Sequence, residues 1–265
     1  MIATNATATA AGTGPIVDVR ADFTGDRPAR RHAPTAPEVL VLGTGITALG
    51  TLRALGRAGI AARLAGDDRD EAFVRRSRWY RRAPGAEGLE PDAAVLEAYL
   101  RSGVLPEGTV LLPCTDAWCR AVAALPTDIA VRFPSSVASA AVMDVLVDKG
   151  RFGAALEAAR LPHPRTHVLR SVGDLGAVSD DAITHGFLKP RHSQPFFRRF
   201  GVKALRPGTR AEAERLLVML EADGMEVVLQ EFIPGAADRH VYVEGFVDRT
   251  GRVVACFVRR RLRIF

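Results

Sequence analysis

Cysteine is scarce in this chain: Cys114, Cys119 and Cys256 are the only three in 265 residues. Their odd number and spacing argue against a disulfide framework or a thiolate metal site, and fit a reducing compartment. Aromatic residues make up 6%, which leaves little stacking material for single-stranded nucleic acid. No apolar run approaches the roughly 18 residues that a spanning helix needs. The start, MIATNATATAAGTG, lacks the basic and then apolar pattern of a secretory leader. The reading is a soluble, cytoplasmic protein with no membrane partner.

Acidic residues are outnumbered only modestly, 30 Asp and Glu against 36 Lys and Arg, for a formal net charge of +6. That balance suits phosphate-bearing ligands as well as nucleic acid or acidic lipid, and singles out none of them. Hydrophobic residues make up 48%, ample for packed cores. The length fits one large or two ordinary domains.

Residues 1–36 are rich in Ala, Thr, Gly, Pro and Arg without hydrophobic periodicity, and read as a disordered tail. Order begins with EVLVLGTGITALGTLRALGRAGI, residues 38–60. An apolar run leads through a glycine turn into a helix carrying Ile46, Leu49, Leu52 and Leu55. Further strands are expected at 60–65, 108–114 and 128–133, with helices between them. That pattern predicts an open α/β sheet over 37–134.

After Pro134 the pattern changes. DKGRFGAALEAARLP predicts a helix capped by Asp148, with Phe152, Ala155, Leu156 and Ala159 on its buried face and its end at Pro162. A strand at 166–170 and another capped helix, marked by Ser171 and Asp174, follow. Strands at 185–190 and 201–207, joined by a loop, come next. Thr209 and Glu212 then open a helix whose apolar positions are Ala213, Leu216, Leu217 and Leu220. A hairpin turning at Asp248 to Gly251 completes an α+β half with mainly antiparallel pairing.

Two groups of residues could carry chemistry. Gly43, Gly45 and Ala48 form a G-x-G-x-x-A turn, with Asp67 and Asp68 at a distance suited to a ribose. A tight strand-to-helix turn needs glycine with or without a dinucleotide, so both readings stay open. The other group is Lys149 at a helix start, Lys189 at a strand end, and Gln230 and Glu231 before the break at Pro234 and Gly235. Lysines at strand ends suit nucleotide phosphates. A strand that breaks could leave backbone groups for an adenine edge. Asp116 in CTDAW reads as a helix N-cap or a substrate contact, and Cys114 as a small buried residue.

The series DKGRF, FLKP, a polar loop, VVLQEFIPG and a hairpin resembles the ATP-grasp superfamily. The likeness is to carboxylate–amine ligases such as D-aspartate ligase and, more distantly, to the ATP-binding domain of carbamoyl phosphate synthase. It covers roughly residues 37–265. It implies a Rossmann-like pre-ATP-grasp domain at 37–134, a first ATP-grasp subdomain at 135–228, and an incomplete second subdomain at 229–265.

The same resemblance implies ATP contacts from Lys149 and Lys189 to the phosphates and from Gln230, Glu231, Phe232 and Ile233 to adenine. Asp238 or His240 would contact ribose. The loop 191–203, with Arg191, Arg198, Arg199 and Lys203, would cover the phosphates. Arg259, Arg261 and Arg263 would share a strand face toward the triphosphate or an acidic substrate.

The implied function is an ATP-dependent ligase that forms a C–N bond through an acyl phosphate from small-molecule carboxylate and amine substrates. Nucleic acid is not expected as a partner, and self-association is left open. The family's magnesium ligands, of E-x-N-x-R type, are absent here and expected beyond residue 265. The chain by itself is therefore expected to show no turnover. The alternatives are a non-catalytic nucleotide-binding regulatory module and an NAD(P)-dependent oxidoreductase.

Overall fold

The computed structural model describes residues 36–66, 73–191, 193–248 and 250–262. The expected tail up to residue 35, Asp67, Asp68 and Arg263 lie outside the described residues. β1 (Val39–Leu42) is an apolar run without alternation, and all four residues are buried, as in a strand covered on both faces. It pairs in parallel with β2 (Ala62–Ala65) and β3 (Val110–Pro113), in the order β2–β1–β3. The crossovers carry α1 (Gly45–Arg57) and α2 (Ala93–Arg101). Leu40, Leu42, Leu96, Leu111 and Phe133 pack on one face, and Val39, Val41, Ala48, Leu52 and Leu64 on the other.

After β3 come α3 (Asp116–Ala123) and α4 (Thr127–Arg132). The strand expected at 128–133 is therefore a helix. Pro126 precedes its first residue, Asp128 stands in its first turn and Arg132 in its last. These positions suit the helix dipole. Ile129 and Phe133, four residues apart, are both buried, so the apolar residues follow a helical period. The strand-like contact moves to Ser135, which bridges Leu111 in parallel.

The second half adds α5 (Ala140–Val147), α6 (Lys149–Ala158) and β4 (Thr166–Leu169). Then come α7 (Asp180–His185), β5 (Gly186–Pro190), α8 (Ser193–Phe200), α9 (Arg210–Ala222) and β6 (Val227–Glu231). β6 lies between β4 and β5, antiparallel to both. One face of this sheet buries Leu169, Leu188 and Leu229 against Ala213, Leu217 and Leu220 of α9. The opposite face carries Thr166, Val168, Phe187, Lys189 and Gln230, by strand alternation.

Three expectations change here. α6 buries Gly150 and Gly153, while Phe152 is exposed. A Cβ on Gly150 would stand 2.9 Å from Val168 Cγ2, and one on Gly153 3.3 Å from Thr166 Cβ. Helix and strand thus approach through glycine, and the expected apolar face points elsewhere. The strand expected at 201–207 is a single bridge, Leu205 to Leu188. The expected phosphate loop is largely α8, because Phe196 and Phe200 pair at 4.7 Å and Phe196 is fully buried in the core beside Leu188.

β7 (Val241–Val247) and β8 (Val253–Arg260) form the expected antiparallel hairpin. Gly251 takes φ +82° at its turn, where glycine avoids strain. Among the described residues, no helix is long and apolar enough to cross a membrane.

Candidate functional site

The face of the β4–β6–β5 sheet opposite α9, half-buried under α6, gathers three groups in register. Gln230 faces Thr166 on one neighbour and Phe187 on the other. Lys189 Nζ donates to Gln230 Oε1 at 2.7 Å, and Gln230 Nε2 donates to Thr166 Oγ1 at 3.0 Å. Lys189 Nζ also lies 4.6 Å from the Phe187 ring centroid. Gln230 therefore presents its carbonyl oxygen to the ammonium, held there by the threonine.

Lys149 reaches the same place from the first residue of α6. Asp148 caps that helix, accepting from Gly150 N at 2.9 Å and Arg151 N at 3.1 Å. Its two oxygens also accept from Arg191 Nε and Nη2 in a bidentate pair. Arg191 Nη1 bonds to Glu226, so one guanidinium ties the start of α6 to the ends of β5 and β6. Burial pushes the Asp148 carboxyl upward. Arg191 and the two backbone N–H groups outweigh that and hold it below its usual range. Arg191, expected as a loop cation, makes this tie instead in the structure.

Both lysines are half-buried. Burial lowers the pKa of Lys149, with Asp116 and Asp148 opposing the shift. Burial also lowers that of Lys189, and the charge of Lys149 lowers it further. Two ammonium groups are thus held within electrostatic reach of each other and partly out of water.

The strand break beyond β6 forms the rim. Glu231 N donates to Arg165 O at 2.9 Å, and Phe232 N to His185 O at 3.1 Å. These two N–H groups, expected to be open to a ligand, are already paired. The Glu231 carboxylate accepts from Arg165 N at 3.1 Å. Phe232 meets Phe187 edge to face at 6.2 Å, with Arg206 over it at 5.1 Å. Ile233 is exposed, and its N–H has no backbone partner among the described residues. Phe187 and Thr166 were not singled out from the sequence. The signal was available for Phe187, which stands two positions before Lys189 and so on the same strand face.

The remaining candidates lie elsewhere. Arg199 pairs with Asp223 at 3.1 Å, and its helix is anchored by Phe196 on the core face of the sheet. Lys203 and Asp238 are exposed. His240 Nδ1 lies 3.2 Å from Arg261 Nη1. Arg259 and Arg261 flank Tyr242 at 4.6 and 5.4 Å, and Arg259 pairs with Glu244. Among the described residues, no group of three or more His, Cys, Asp or Glu could hold a metal ion.

In the parallel sheet, Gly43 takes φ +121°, and a Cβ there would stand 3.3 Å from the Trp118 ring. Thr115, one residue earlier than expected, caps α3 by accepting from Trp118 N, and Asp116 is the first helical residue. The Cys114 thiol faces Thr51, and burial pushes its pKa up, so it remains protonated and unreactive. Gly43→Val is expected to destabilise the fold by about 1–3 kcal/mol through backbone strain and the crowded indole, as measured by urea unfolding. A stable variant that had lost only dinucleotide binding would instead favour the oxidoreductase expectation.

No family model and no curated protein matches the chain. Solved structures do. An L-amino acid ligase from Bacillus licheniformis aligns over 83% of this chain and 49% of its own, at TM-score 0.54 and 15% identity. A carboxyaminoimidazole ribonucleotide synthase from Aspergillus clavatus, complexed with ATP, aligns over 79% and 50%, at 0.56 and 13%. The N5-carboxyaminoimidazole ribonucleotide synthetase from Thermus thermophilus aligns over 84% and 54%, at 0.56 and 20%. The chain spans about half the length of these three structures.

Proposed function

We propose that this chain, which has the fold of the ATP-grasp proteins, binds ATP on the face of β4–β6–β5 opposite α9 as part of an ATP-dependent carboxylate–amine ligase. The observation that carries the reading is the convergence of Lys149 and Lys189, half-buried and coupled in charge, beside Gln230. A polyphosphate would place negative charge beside both lysines. Phe187 and Phe232 offer an apolar wall for the base. The free Ile233 N–H, rather than those of Glu231 and Phe232, is suited to donate to an adenine nitrogen.

In such a ligase the γ-phosphoryl group passes to a carboxylate oxygen, with ADP leaving, and an amine then displaces phosphate from the acyl phosphate. These residues would act by fixing the triphosphate and opposing its charge. Among the described residues, no group fits a dedicated magnesium site. The three similar structures support the ligase reading by fold.

Calorimetric titration with ATP and with adenosine tests the site. Saturable binding of ATP, and adenosine binding at least about tenfold weaker, is expected. Equal affinities would remove the phosphate role of the lysines. The pH profile is a further expected result. Because both lysine pKa values are lowered in the folded chain, ATP affinity should fall on the alkaline side before pH 10.5, the ordinary lysine value. Affinity constant up to that pH would show that neither ammonium holds phosphate.

A further inference from the structure

At the end of the parallel sheet away from Gly43 lies an open cleft of about 410 Å³. The four residues of β1 separate the two ends by roughly 13 Å. Its walls are the last turn of α1, the start of β2 and the segment around Trp79. Ile60 and the Trp79 ring, both half-buried, supply apolar surface. The Trp79 indole packs directly on the backbone of Gly56, where a Cβ would stand 2.3 Å from a ring carbon. Any larger residue at 56 would displace that ring.

Three guanidinium groups and one carboxylate line the same cleft. Arg63 pairs with Glu38. Arg78 and Arg81 have no carboxylate partner among the described residues. Arg78 lies 4.5 Å over the Trp79 ring, and Arg81 Nη1 donates to the carbonyls of Arg78 and Tyr80 at 3.1 and 2.7 Å. These contacts fix both forks with donors to spare, so little ordering entropy remains to be lost on binding. The C-terminal end of α1 disfavours an anion, but its partial charge is smaller than that of two full cations.

We propose that this cleft is a binding site for a small aromatic anion, separate from the nucleotide site. The ring would lie against Trp79 and Ile60, and a carboxylate or phosphate would be held by Arg78 and Arg81. Apolar surface beside two fixed guanidinium forks selects a ligand that combines the two features. A bare anion lacks the ring contact, and a neutral ring leaves the cations unanswered.

The test is titration of the full chain with benzoate, phenyl phosphate, inorganic phosphate and benzyl alcohol at fixed ionic strength, followed by calorimetry and tryptophan emission. Saturable binding of benzoate or phenyl phosphate is expected, with benzyl alcohol and inorganic phosphate at least about tenfold weaker. Whichever of the two ring anions binds more tightly identifies the anionic group. Arg78→Gln and Arg81→Gln should each weaken that binding about tenfold with an unchanged Tm. Lys189→Ala and added ATP should leave it unaltered. No binding of either ring anion, equal binding of benzyl alcohol or inorganic phosphate, full binding by the Arg78→Gln/Arg81→Gln double variant, or displacement by ATP would each overturn the proposal.

Discussion

Asp148→Ala is expected to destabilise the fold by about 2–3 kcal/mol, because it removes two charge-assisted hydrogen bonds from Arg191, which keeps Glu226 as its remaining carboxylate. The Asp148 and Arg191 side chains are 7% and 15% exposed, and the bidentate contact satisfies both oxygens. The same substitution removes the cap from α6. Asp148→Asn separates the two effects, since asparagine caps a helix nearly as well but cannot match the charge. Urea unfolding should place Asn between the wild type and Ala. If both variants unfold with the wild type, the tie does not hold the fold.

The acid side gives an independent check. The folded Asp148 carboxyl lies below its unfolded value near pH 3.9. Its contribution is therefore fully present above that pH and is lost as pH falls through the lower folded value. The Asn variant should accordingly lose less stability than the wild type below pH 4.

Lys189→Ala is expected to weaken ATP binding by about 10–100-fold, the equivalent of one charge-assisted hydrogen bond of 1.5–3 kcal/mol. The substitution should leave the stability of the nucleotide-free chain nearly unchanged. Burial lowers the pKa of this lysine, so keeping it charged opposes folding at neutral pH, and the opposition fades as pH rises through the folded value. Loss of the Gln230 and Phe187 contacts offsets the gain. Calorimetry with ATP and thermal unfolding of the same sample read the two effects separately. Unchanged ATP affinity would remove this sheet face as the nucleotide site.

The two lysines were legible because each sits in a short local pattern: Lys149 follows a capping aspartate, and Lys189 ends an apolar strand. Gln230 and Glu231 were legible as the last residues before Pro234. The role of Arg191 was not, since its partner Asp148 is 43 positions away and nothing local marks the pair. α8 was misread as a loop because its burial rests on Phe196 entering a core built by β5, β6 and α9. The face of α6 was misread because its partner strand comes close through Gly150 and Gly153, and an apolar periodicity cannot register contact made by glycine.

By itself the sequence determined the parallel and antiparallel halves, the terminal hairpin and the chemical identity of the charged groups. Those depend on side-chain period, turn residues and caps, all local in the chain. Only the tertiary structure decided which cations meet. Lys149 and Lys189 converge because glycines let α6 settle on β4, while Arg191 is consumed by Asp148 and Arg199 stays with α8 across the sheet. Charge is encoded residue by residue, but the field at a site depends on distances and burial that long-range packing alone sets.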